Sequence, residues 1–348
     1  MKIFTLLTTS IACAVALAAC GGGDNDTVTP VAGSGTSTGT GTGTSTGTGT
    51  GTGTNTDGNS STPTPVPLVF SYEALPVAAD ASSFLALINS EGARGYRYLS
   101  DKTFSDGTKS IFLNDSTAPS YTCEMLPPQT DAIGQENAEG AKGYFYFGAN
   151  DGYRDNFYCQ PGGAGSQYTY SYVRDALSSS VSDFLNQLNS WGQSGYYLGG
   201  QIINANTNLY TGNSYEKNTI TQPTYTYDIQ TPPTNVNDYL AQLNSEGAQG
   251  YRGQKTNLGL NYAPYNVFNS GVDVMIYMKD QSQSATFTYI TDTPPTASAD
   301  FIAQANSHGA QNYGYIGELT FNGQPISFYF KANNCVGFIC AGLTWDAN

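Results

Sequence analysis

The only histidine in the 348-residue chain is His308, so a serine–histidine–acid triad would have to be built on it. It sits in Asn306-Ser307-His308-Gly309, and Glu91, Glu139, Trp191 and Glu246 occupy the same slot in four related segments. That setting reads as a surface position ahead of a helix-ending glycine rather than as a general base. Glu91, Glu139 and Glu246 could supply the paired carboxylates of a glycoside hydrolase. As register-equivalent positions of a repeat, however, they are expected to face solvent. The oxygen-rich run from Asn150-Asp151-Gly152 to Asp155-Asn156 lacks the spacing of a calcium loop, and no metal is expected there. Cys335 and Cys340 are spaced Cys-x4-Cys, not as the Cys-x-x-Cys of redox sites. Trp191 replaces an acid in the third segment and is the candidate ligand contact. No catalytic constellation emerges, so the chain reads as non-enzymatic and without a cofactor.

Composition narrows the field further. Twenty-seven acidic and 13 basic residues leave a net charge of −14 and a pI near 4.2. An acidic chain without a basic cluster is unsuited to phosphate backbones, which excludes nucleic acid as a partner. Charged residues are only 11% of the chain and tyrosines number 26. Tyrosines alternating along strands are expected mainly to pack. An exposed aromatic face for sugars, peptides or another protein surface is the competing expectation.

Lys2 and the apolar run Ile3 to Ala19 fit a secretory signal peptide over residues 1–19. The run ends in Leu17-Ala18-Ala19-Cys20-Gly21, which resembles the lipobox of bacterial lipoproteins. The resemblance implies acylation of Cys20, membrane attachment through that lipid and, with glycine next, residence at the outer membrane of the cell envelope. Residues 20–67 are nearly free of large apolar side chains, and Gly39 to Thr54 alternates glycine with threonine or serine. Such a stretch buries too little to offset its ordering entropy and is expected to be a disordered tether. Its Gly-x-Gly spacings mimic a dinucleotide fingerprint without the flanking strand and helix that would make one.

Beyond residue 67 the chain repeats itself. The segments begin at Asn89, Asn137, Asn189, Asn244 and Asn306, separated by 48, 52, 55 and 62 residues, and most read Asn-Ser-x-Gly-x-x-Gly-Tyr. Apolar residues precede each asparagine at i, i+1 and i+4, as in Phe184, Leu185 and Leu188, which is one face of a short helix. Asp80, Ser180 and Asn235 stand where N-caps belong. Gly92, Gly140, Gly192, Gly247 and Gly309 stand where a left-handed C′ residue would end each helix. Upstream, aromatic alternations such as Tyr170-Ser171-Tyr172 predict a strand, and two more strands are predicted downstream. In the second copy Ala132, Ile133 and Glu136 occupy the core positions, a degenerate helix.

The run Leu243-Asn244-Ser245-Glu246-Gly247-Ala248-Gln249-Gly250-Tyr251 resembles a small bacterial domain of unknown function with a Leu-Asn-x-x-Gly-x-x-Gly-Trp signature. The resemblance implies an α+β fold and attaches no activity. The expected organisation is five strand–helix–strand–strand repeats at 68–117, 118–166, 167–222, 223–284 and 285–348. Each lays a short helix on a three-stranded sheet, and neighbouring units stack into an elongated or arced array.

Four cysteines remain once Cys13 leaves with the signal and Cys20 is acylated, an even number in an exported chain. Three pairings are possible, and the favoured one is Cys123–Cys159 with Cys335–Cys340. Because bridged Cα atoms lie within about 7 Å, this pairing places the third strand of a unit beside the first. The functional expectation is a lipid-anchored display or structural body. An envelope hydrolase acting on glycan or peptide, and a self-assembling envelope subunit, are the alternatives.

Overall fold

Alternating aromatics, a capped helix and a hairpin are laid down in the same order five times. The computed structural model of the protein describes residues 67–150, 155–204, 209–221, 223–254, 265–266 and 273–340. Unit 1 comprises β1 (Ser71–Pro76), α1 (Ala81–Gly92), β2 (Arg97–Phe104) and β3 (Gly107–Asn114). Unit 2 has β4 (Tyr121–Leu126), α2 (Ala132–Ala141), β5 (Phe145–Asn150) and β6 (Asp155–Pro161). Unit 3 has β7 (Tyr170–Ala176), α3 (Val181–Gln193), β8 (Tyr197–Asn204) and β9 (Leu209–Asn218). Unit 4 has β10 (Tyr225–Gln230), α4 (Val236–Ala248), the short β11 (Arg252–Gly253) and β12 (Tyr265–Asn266), and β13 (Asp273–Asp280). Unit 5 has β14 (Thr286–Asp292), α5 (Ser298–Gly309), β15 (Gly314–Phe321) and β16 (Gln324–Asn333).

In every unit the last strand is central and antiparallel to both neighbours, in the order β1-β3-β2 and its equivalents. Cys123 and Cys159 face each other across β4 and β6 with Cα atoms 4.1 Å apart, and they are bonded. Cys335 and Cys340 form the second disulfide.

Local chemistry starts each helix. The side chains of Asp80, Asp131, Ser180 and Asn235 accept the backbone N–H three residues on. The α5 cap, Ala297, has no such side chain. There the β2–β3 hairpin of unit 1 intervenes: Asp106 accepts from the Ser298 N–H at 2.9 Å and from its hydroxyl at 2.5 Å. The helices also end alike. Gly95 N–H reaches the Gly92 carbonyl and Tyr96 N–H the Glu91 carbonyl, and the other four copies repeat this pair of bonds. The left-handed residue of that motif is Gly95, Gly143, Gly195, Gly250 or Asn312, with φ between 70° and 97°.

Gly92, Gly140, Gly192, Gly247 and Gly309 are therefore not the left-handed C′ residues expected from the sequence. They lie in or beside the last helical turn, and none has positive φ. Their smallness serves a different need. A Cβ added at Gly92, Gly140, Gly192 or Gly247 would stand 2.2–2.4 Å from the backbone oxygen of Tyr121, Tyr170, Tyr225 or Phe287. Each of those carbonyls belongs to the first strand of the next unit, or to the residue just ahead of it. At Gly309 the oxygen is that of Phe70, 2.0 Å away, at the start of unit 1.

The units thus close into a ring: α1 packs on β4, α2 on β7, α3 on β10, α4 on β14, and α5 returns to β1. The expected elongated or arced array gives way to closure, because the fifth helix finds in β1 the same partner that the other four find downstream. The motif asparagine is the latch. Cys123 N–H donates to Asn89 Oδ1 at 2.8 Å, while Asn89 Nδ2 donates to the Cys123 carbonyl at 2.9 Å. Asn137 makes the same pair with Tyr172, Asn244 with Tyr289 and Asn306 with Tyr72. Asn189 accepts from Tyr227 N–H.

Four tyrosines are built into these junctions. The hydroxyls of Tyr172, Tyr227, Tyr289 and Tyr72 accept backbone N–H bonds from Tyr146, Leu198, Gly253 and Tyr315 of the preceding unit. Three of these donors begin a β-bulge, where the ladder leaves an N–H without a strand partner. Tyr72, Tyr158, Tyr215, Tyr277, Tyr315 and Tyr329 are fully buried. Unit 2 has Cys123 in place of the hydroxyl-bearing residue, and its helix has Glu136 where the others bury an aliphatic side chain. Glu136 is 4% exposed and pairs with Arg174 of β7 at 2.8 Å, so an ion pair crosses the junction to unit 3.

Gly247→Ala is expected to lower stability by about 1–3 kcal/mol, because the Phe287 carbonyl must move aside. Asn244→Ala should cost about 1–3 kcal/mol by stranding the Tyr289 backbone groups. Urea titrations beside Ser245→Ala, at an exposed neighbouring position, check both.

Candidate functional site

The slot two residues after each motif asparagine is fixed by the helix-ending motif, because its carbonyl accepts the second closing bond. Its side chain leans back along the helix toward the first strand of its own unit. The backbone is therefore the same five times while the side chain varies: Glu91, Glu139, Trp191, Glu246 and His308.

The three glutamates are buried rather than solvated as expected, at 5–7% exposure. In unit 1, Arg94 spans two acids, with Nη1 2.5 Å from Glu91 and 2.9 Å from Glu73, and Nη2 2.6 Å from Glu73. In unit 2, Lys142 Nζ lies 2.7 Å from both Glu139 oxygens. Burial, and then the neighbouring acid Glu139, push the Glu124 carboxyl up to about 7. In unit 4, Gln230 Nε2 donates to Glu246 at 2.7 Å and to Asp228 at 2.8 Å.

Trp191 is half-buried, stacked on Tyr215 at 5.6 Å and edge-on to Tyr196 at 5.3 Å. Its indole N–H donates to Asp175 at 3.1 Å. The candidate ligand contact is thus also a packing residue of unit 3. His308 lies on the Tyr329 ring, with Nε2 3.1 Å from Asp292. Among the described residues no serine or threonine hydroxyl is hydrogen-bonded to it.

Sequence reasoning missed the role of the glutamine two residues before the motif asparagine. Gln135, Gln187, Gln242 and Gln304 each donate to the carbonyl just past their own unit's first strand or at its end. In units 3 and 5 the tyrosine hydroxyls of Tyr215 and Tyr329 donate to the same glutamines, at 2.8 and 3.0 Å. The recurrence of glutamine before Leu-Asn or Ala-Asn was a visible signal, but its partners lie on other strands. Buried Arg97 was missed as well. It pairs with Asp115, whose carboxyl is held below its ordinary range because the arginine charge and the Thr117 bonds outweigh burial.

Among the described residues no group of three or more histidine, cysteine, aspartate or glutamate side chains is placed to hold a metal ion. Nor is any described helix long and apolar enough to cross a membrane. The signal segment, Cys20, the Gly/Thr tether up to residue 66 and most of the Asn150–Asn156 run lie outside the described residues.

What the geometry defines is an α+β repeat body with one variable side-chain slot per unit on a common backbone frame. Known protein families, curated proteins and solved structures offer no match to the chain.

The unit 2 acid pair carries a pH signature. Glu124 titrates higher when folded than the ordinary glutamate value of 4.5, so the native state binds the extra proton between about 4.5 and 7. Its contribution is therefore present below that window and lost as pH rises through it. Glu124→Gln is expected to flatten the decline, read as melting temperature between pH 4.5 and 8.

Proposed function

We propose that this protein is a non-enzymatic, lipid-anchored component of the bacterial cell envelope that displays its ring of five repeats as a binding or structural body. The observation that carries the reading is the division of labour within the repeat. Residues that recur in all five copies, the asparagine and the first glycine, are consumed by junctions. The slot side chains make no junction bond of that kind and are not held constant: glutamate in units 1, 2 and 4, Trp191 in unit 3 and His308 in unit 5. A frame held constant around changing side chains is the economy of a display surface.

The lipobox-like Leu17-Ala18-Ala19-Cys20 and the Gly/Thr-rich stretch after it support attachment through Cys20 and a flexible arm. Gly21 supports the outer membrane as the site of residence. The helix-end motif still resembles the small bacterial domain of unknown function, with tyrosine in place of tryptophan. A glycan, a protein or another copy of the chain is the partner class this architecture serves.

A hydrolase reading draws on one observation, the 3.1 Å pairing of His308 with Asp292. Incubating the secreted chain with envelope glycans and peptides separates the readings. Saturable capture without product, sensitive to Trp191→Ala, is the expected outcome. Product formation abolished by His308→Ala would overturn it.

A further inference from the structure

Units 1, 2 and 4 place two acids at the helix end, but among the described residues only units 1 and 2 pair them with a cation. The residue three positions after the slot is Arg94 in unit 1, Lys142 in unit 2 and Gln249 in unit 4. Gln249 is exposed and reaches Glu246 only at 3.5 Å. Glu246, 7% exposed, and Asp228 are bridged by a neutral donor instead, the Gln230 amide at 2.7 and 2.8 Å. Lys279 is placed over the Tyr251 ring, 5.6 Å from its centroid.

A second observation marks this site as unfinished. Tyr277 is 0% exposed, its hydroxyl has no hydrogen-bond partner among the described residues, and the charges of Glu246 and Asp228 act on it. The buried Gln242 Oε1 is also without a partner. In units 3 and 5 the equivalent tyrosine and glutamine are bonded to each other. In unit 4 they are not, because the Gln242 amide is turned to Gln230 Oε1 at 2.6 Å. In unit 2 Tyr158 is also unpartnered among the described residues, but there the Gln135 Oε1 is taken by Asn156 Nδ2 at 2.8 Å, whereas Gln242 Oε1 stays open. Gln230 is thus occupied on both sides, at the expense of a buried pair.

We propose that the α4 end of unit 4 receives a guanidinium group from another molecule, held between Asp228 and Glu246 as Arg94 is held between Glu73 and Glu91. The planar cation replaces the Gln230 amide because it adds the attraction of opposite charges and a two-pronged fork of donors that a neutral amide lacks. Gln242, released from Gln230, then turns its Oε1 to Tyr277, recovering the bond found in units 3 and 5. The site therefore stores an unmade internal bond that ligand binding completes. This deepens the display reading and rests on it for its biological use; slots filled by Trp191 or His308 stand apart from it.

The test is an NMR titration of the full chain with N-acetyl-arginine amide, its citrulline counterpart and calcium chloride in separate arms. Saturable shifts around Tyr251 and Tyr277 with arginine, and none with citrulline, are expected. Gln249→Arg, which supplies the cation from within as unit 1 does, should weaken binding at least about tenfold while the ring stays folded. Tyr277→Phe removes the recovered bond and should weaken it less. An arginine-containing peptide that binds more tightly than the free amide identifies a protein source, and equal binding a small solute; either supports the site. Equal responses to arginine and citrulline, undiminished binding in Gln249→Arg, or a response to calcium alone would overturn it. Loss of glycan or peptide capture with arginine binding intact would instead remove the display reading.

Discussion

Everything in this ring depends on a carboxamide matched to one residue of strand backbone. The motif asparagine offers an acceptor and a donor side by side, and an edge strand offers the complement at every second residue. A strand edge left bare is a liability; here the preceding helix covers it with a side chain that mimics another strand. The geometry works only at close range, which is why no Cβ is tolerated at the neighbouring glycine. Tyrosine completes the seal, its ring filling the space between units and its hydroxyl meeting the N–H that a bulge leaves over.

Much of this architecture is legible in the residues. Apolar spacing fixed the helices, Asp80, Ser180 and Asn235 mark their starts, and the four cysteines beyond residue 67 pair as the two expected disulfides. The failures are instructive. Two glycines flank the helix end in four units, with Asn312 as the second residue in unit 5, and the first glycine reads as the left-handed one because its position after the helix face fits that role. Asn312 pointed to the second, since asparagine tolerates positive φ where a clash-limited site would not accept it. What distinguishes the two glycines is a carbonyl from another unit, and no local pattern records that. Burial of Glu91, Glu139 and Glu246 was hidden for the same reason: their polar partners Glu73, Glu124 and Gln230 lie a whole helix upstream.

Closure was equally beyond the linear pattern. Asn306 and Tyr72 are 234 residues apart, and a five-fold repeat is compatible with an open stack as well as with a ring. The seam carries further contacts of its own. Asp106 caps α5 from unit 1, Ser105 N–H donates to the Thr296 carbonyl, and Lys102 pairs with Glu318 at 2.6 Å. These contacts join the two ends of the described body without any covalent link. Unit 2 shows the opposite compensation: a polar helix core is offset by a disulfide and by the ion pair of Glu136 with Arg174.

The order of bonds along the first strand has a mechanical meaning. Asn312 Nδ2 donates to the Leu68 carbonyl, and Phe70 N–H donates weakly to the Gly309 carbonyl at 3.4 Å. Both precede Ser71, where the ladder to β3 begins. Tension applied to the polypeptide ahead of residue 67 therefore loads α5 before it loads the sheet of unit 1. The closing helix thus acts as a strain relief for the first strand.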